Sequence, residues 1–134
     1  MILVDAGPLV AVIDADDRHH DACVKTLKEI RPPLVTVWPV VVEAMYLLSE
    51  FRAQDALWQM ILRGVLVIEQ LDARDLGRAR DLMAKYRDLP MDLADAALVA
   101  IAERLRCRRV FTLDRKDFRV YRAKGFKDFE ILPL

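Results

Sequence analysis

Four acidic residues of this chain sit where burial would be expected. Asp5 closes the run MILVD, Glu43 interrupts VWPVVVEAMYLL, Asp95 precedes AALVAIA, and Asp114 closes VFTLD. A carboxylate is costly to desolvate and is almost never buried without a partner. Convergence of the four on one divalent cation, or two, would remove that cost. Oxygen donors with no histidine or cysteine among them favour Mg2+ or Mn2+ over zinc. The chemistry such a centre supports is metal-assisted attack on a phosphate ester.

Several neighbours admit a second role. Asp92 lies three residues before Asp95, so it can cap the same helix or join the outer part of the site. Thr112 can orient Asp114 or touch substrate, and Asp117 is a peripheral candidate. His19 and His20 follow a run of acids and read as pairing and capping groups rather than as a general base. Trp38 and Trp58 read as core or interface residues, and Cys23 and Cys107, isolated from each other, as buried free thiols.

The elements that would position these acids follow from hydrophobic periodicity. Strands are predicted at residues 2–5, 34–37, 65–68, 109–113 and 129–132. Gly7 and Pro8 are expected to break the first strand before a short helical turn that ends near Asp14. Helices are predicted at 18–29 (capped by Asp17), around Glu43 with Pro39 in the first turn, at 53–62, at 73–86 (capped by Asp72) and at 92–105. Apolar strands alternating with helices imply an α/β fold with a mainly parallel sheet covered on both faces. In such a sheet Asp5 and Asp114 lie at carboxyl ends of strands, with Glu43 and Asp95 in the first turns of helices that begin along the same edge.

At 134 residues with 31% charged side chains, the chain fits one globular domain, residues 1–134. The opening MILVDAG has no basic flank and does not read as a signal peptide, no apolar run is long enough for a membrane span, and the cysteine usage reads as cytoplasmic. The net charge is zero but unevenly spread. Residues 104–134 carry 10 basic and 4 acidic residues, against 11 and 17 before them. Such a basic segment can track a nucleic-acid backbone, or else form a solvated or docking face.

The same positions resemble a family, the PIN-domain ribonucleases, and in particular the toxins of VapBC toxin–antitoxin pairs. MILVDAGPLVAVID, WPVVVEAMYLL, DLPMDLADAALVAIAERL and VFTLDRKDF match its successive acidic signatures from end to end and carry them onto Asp5, Glu43, Asp95 and Asp114. The resemblance implies a three-layer α/β/α sandwich and Mg2+- or Mn2+-dependent hydrolysis of RNA. It also implies a homodimer held inactive by a cognate antitoxin that covers the acidic groove. A phosphatase using Asp5 as nucleophile is disfavoured, because no second acid stands two residues on. A structure-specific DNA nuclease, a free-standing RNA-processing enzyme and a non-catalytic protein with an acidic docking groove are the other readings.

Overall fold

A computed structural model describes residues 1–134. In chain order the elements are β1 (Ile2–Val4), α1 (Ala6–Ile13), α2 (His20–Glu29), β2 (Leu34–Thr36), α3 (Trp38–Leu48), α4 (Phe51–Leu62), β3 (Leu66–Ile68), α5 (Ala73–Lys85), α6 (Leu93–Leu105), β4 (Arg109–Phe111), α7 (Arg115–Val120) and β5 (Glu130–Leu132). The strands form one sheet of order β3-β2-β1-β4-β5, and every pair is parallel. β1 lies in the middle, with Leu3 opposite Val35 on one side and Val110 on the other. Its three residues are at most 1% exposed, which is why the run is apolar without alternation.

Right-handed crossovers place α1–α4 on one face, where the chain steps outward from β1 to β3, and α5–α7 on the other, where it returns to β4 and β5. The result is a three-layer α/β/α sandwich. The winding reverses between β1 and β4, so the carboxyl ends of these two strands diverge into a crevice. Between the layers, α6 is buried along its whole length from Ala94 to Ala102, as its alanine-rich sequence leads one to expect.

Three expectations are corrected. Gly7 and Pro8 do not interrupt the chain: they are the second and third residues of an eight-residue helix. The first turn of a helix has no intrahelical acceptors for its N–H groups, so proline costs nothing there. Glu43 is the sixth residue of α3, in its second turn rather than its first. The segment after Asp114 forms α7, which was not expected, and the strands end one or two residues short of several predicted bounds.

Smaller features agree or are refined. Asp17 does not cap α2, which starts at His20 behind an N-cap, His19, that makes no side-chain cap bond. Asp17 instead accepts from the His19 amide at 2.8 Å, two residues on, and His20 ties its ring to the Ala11 carbonyl at 2.6 Å. Both cysteines are free and buried, and desolvation, followed by the charge of Asp17, pushes the Cys23 thiol up to about 11. Trp38 and Trp58 are 42% and 38% exposed, so neither is a core residue. No helix is long and apolar enough to cross a membrane.

Candidate functional site

The crevice at the β1–β4 reversal is a cleft of about 390 Å3 lined by Asp5, Gly7, Glu43, Leu47, Asp92, Asp95, Leu113 and Asp114. Five of the eight are acidic, none is basic, and all four sequence-predicted acids are among them. Each arrives from a different element. Asp5 follows β1 and caps α1, Glu43 projects from α3, Asp95 sits in the first turn of α6, and Asp114 precedes α7.

Asp5 is the most firmly held. Its Oδ1 accepts from the Ala6 amide and its Oδ2 from the Thr112 hydroxyl, both at 2.8 Å, while its own amide donates to the Phe111 carbonyl. Thr112 Oγ1 in turn accepts from the Asp114 amide at 3.0 Å. Thr112 therefore locks the ends of β1 and β4 together, gripping the Asp5 carboxylate and the Asp114 backbone rather than the Asp114 carboxylate. Asp92 caps α6 by accepting from the Asp95 amide at 2.8 Å, yet it also lines the cleft. Its reading as a cap is realised.

Buried and crowded by one another, the acids hold their protons more tightly than usual. Burial, then the charge of Asp5, pushes Asp95 up to about 8, against the pull of a hydrogen bond from Tyr121. Burial and then Asp117 raise Asp114 to about 6. Asp5 is raised chiefly by desolvation, and Glu43 by desolvation and then by the charges of Asp5 and Asp92. Asp5 contributes to the rise of each of the other three, which places it at the electrostatic centre.

One carboxylate oxygen each from Asp95, Asp114 and Asp117 lie within 4.8 Å of one another, a spacing that a single divalent ion could bridge. Asp117 thus joins Asp95 and Asp114 in one compact group, although it does not line the cleft. The reason is α7: a helix starting after Asp114 returns its third residue to the same side. Asp5 and Glu43 share the cleft but are not in that trio. Tyr121, whose hydroxyl donates to Asp95 Oδ2 at 2.7 Å, was missed altogether. The apolar pair Phe118 and Tyr121, three residues apart behind Asp114 and Asp117, was the available signal for both the helix and the tyrosine.

Half of the ten basic residues in the C-terminal segment are spent on structure. Arg104 pairs with Asp75 and Glu69, Arg109 with Glu130, and Arg108, Arg115 and Arg122 donate to backbone carbonyls. Lys116 and Arg119, exposed on α7 beside the acids, have no such partner.

Against known proteins, the PIN domain family matches residues 2–124. Ribonuclease VapC26 of Mycobacterium tuberculosis is 30% identical over 135 residues, covering 98% of this chain and 100% of that protein. Among solved structures, M. tuberculosis VapC20, a sarcin–ricin loop cleaving toxin, has a TM-score of 0.76 at 20% identity over 82% of this chain and 87% of that one. VapBC2 from Rickettsia felis, bound to a DNA fragment from its promoter, has a TM-score of 0.71 at 15% identity over 98% of both chains. A toxin–antitoxin complex from Klebsiella pneumoniae gives 0.70 at 19% over 88% and 90%. The acidic crevice, the strand order and the end-to-end match agree: this chain belongs to the PIN-domain family and is homologous to the VapC ribonucleases of toxin–antitoxin systems.

Proposed function

We propose that this chain is a divalent-metal-dependent endoribonuclease, the toxin of a type II toxin–antitoxin pair. The observation that carries the reading is the cleft at the winding reversal, with five acids and no base. Such a cleft repels a polyanion unless a cation lies in it. An all-oxygen donor set with a compact trio of carboxylates fits Mg2+ or Mn2+. Asp5, Glu43, Asp95 and Asp114 would hold the ion directly or through water, with Asp117 joining them. When bound, the metal supplies acidity to a water molecule and neutralises charge on phosphoryl oxygens.

The protein's own part is positioning. Thr112 and the Ala6 amide pin Asp5, and Asp92 fixes the first turn of α6 and with it Asp95. Lys116 and Arg119, unpartnered on the outer face of α7, would hold phosphates flanking the scissile bond. The arginines already engaged elsewhere would not. Phosphate contacts position a strand without reading its bases.

The homology supports an antitoxin partner, and the exposed apolar stripe Trp38, Val42 and Tyr46 on α3 supports protein contacts, either with that partner or across a homodimer. The purified protein is expected to cleave RNA with Mn2+ and to leave a matched DNA oligonucleotide intact, with the Asp5→Asn variant inert. Sequencing the released ends would check this, and RNA cleavage undiminished in Asp5→Asn would overturn it. Replacing Lys116 and Arg119 with alanine should weaken RNA binding and flatten its salt dependence by about 0.7 in log–log slope per lost contact.

A further inference from the structure

We infer that Tyr121 is a positioning residue for the metal centre, setting the place of the Asp95 carboxylate relative to Asp114 and Asp117. This rests on the metal-dependent reading above and adds to it a residue that holds no metal.

The chain brings Tyr121 to Asp95 from 26 positions away, and its ring is fixed by contacts that do not involve the hydroxyl. Phe118 and Tyr121 are both wholly buried. Their rings meet edge to face at 5.2 Å, and Tyr86 meets Tyr121 in the same manner at 5.3 Å. Edge-to-face packing of this kind favours one ring placement. From it the hydroxyl reaches Asp95 Oδ2 at 2.7 Å, the length of a hydroxyl-to-carboxylate hydrogen bond.

Asp95 is only 7% exposed, and the Tyr121 hydroxyl is its carboxylate's only hydrogen-bond donor. The cap formed by Asp92 engages the Asp95 amide, not its side chain. The bond also crosses between elements. Asp95 belongs to α6, whereas Asp114, Asp117 and Tyr121 all belong to α7 or its flanks. It is therefore a tie between the two sources of the carboxylate trio. Groups that orient a metal-binding side chain in this way commonly control affinity nearly as strongly as the ligands themselves.

The test uses the full chain and Mn2+ alone, followed by titration calorimetry, with thermal unfolding and circular dichroism as checks on the fold. Tyr121→Phe keeps the ring packing and deletes the donor. It is expected to weaken Mn2+ binding by about 10- to 100-fold, with cleavage substantially restored at saturating Mn2+. Phe118→Leu disturbs the same aromatic cluster without touching the hydroxyl. It is expected to lower the melting temperature while leaving Mn2+ affinity unchanged. Mn2+ binding by Tyr121→Phe equal to that of the parent would overturn the inference. So would an equal loss in Phe118→Leu, which would assign the effect to packing. If the parent chain itself binds no Mn2+, the metal-dependent reading fails and the inference falls with it.

Discussion

Helices α5 and α6 open on the same device and put it to opposite use. Each is preceded by an aspartate whose carboxylate accepts from the amide of a second aspartate three residues on, at 2.9 Å for Asp72 and Asp75 and 2.8 Å for Asp92 and Asp95. In both helices that second acid is buried, 4% exposed at Asp75 and 7% at Asp95. The helices run antiparallel, as the contacts of Asp75 with Arg104 and of Arg78 with Glu103 require, so the two devices lie at opposite ends of the layer. The Asp75 carboxylate in return accepts from the Asp72 amide and meets the Arg104 guanidinium at 3.1 Å. Asp95 meets no cation at all and faces Asp5, Asp92 and Asp114. The same local motif thus yields a satisfied structural acid at one end and a charge-starved one at the other. What separates them is the company each keeps in the fold.

The sharpest way to test that contrast is to neutralise each acid in turn. Asp95→Asn is expected to lower RNA cleavage by roughly a thousandfold, the scale seen when a charge-stabilising group is removed from an active site, while the fold persists. Asp75→Asn should retain cleavage per folded molecule. It should instead cost about 2–3 kcal/mol in chemical denaturation, below the full value for a buried pair because Arg104 is 35% exposed. Loss of cleavage in both variants, or in neither, would erase the distinction.

The next effect is stabilisation by the ion. Mn2+ at about a hundred times its dissociation constant should stabilise the parent by about 2.7 kcal/mol. The melting temperature should rise on the order of 10 °C in a thermal scan. Asp75→Asn should keep that rise and Asp95→Asn should lose most of it.

A separate effect is expected with pH. Asp95 and Asp114 are raised in the folded state to about 8 and about 6, from an ordinary value of 3.8. Groups raised in this way contribute stability below the unfolded value and lose it as pH climbs to the folded one. Metal-free protein should therefore lose stability between about pH 4 and 8, more steeply below 6 than above it, and level off beyond. Asp72, lowered chiefly by the Asp75 amide, acts with the opposite sign and below that window. Melting temperatures that rise between pH 5 and 8 without metal would contradict the electrostatic account.

The smallest effect concerns the two caps. Asp92→Ser keeps an N-cap oxygen and removes a charge from the cleft. Helix stability should change by less than about 0.5 kcal/mol. Mn2+ affinity should fall a few-fold, because only a longer-range charge is lost. A large loss of stability with unchanged affinity would make Asp92 a cap and nothing more.

Much of this molecule was legible in the order of its residues. Burial on both faces forces β1 to be continuously apolar and β4 to be apolar at Val110 and Phe111, so an acid just after such a run marks a strand's carboxyl edge. Asp5 and Asp114 were readable for that reason, and Glu43 and Asp95 because each interrupts or precedes a helix that must be buried. The caps at Asp72 and Asp92 were readable as well, since a cap acts within one helical turn. These are local properties. The reach of Tyr121 to Asp95, the approach of Asp117 to Asp95 and the neutralisation of Asp75 by Arg104 join residues 22 to 29 positions apart. Only packing of α5, α6 and α7 on one face of the sheet brings them within bonding distance. The sequence by itself determined which residues carry charge into buried ground. The tertiary structure decided which of those charges find a cation in the protein and which are gathered with other acids, because Coulomb energy depends on distance in space and not along the chain.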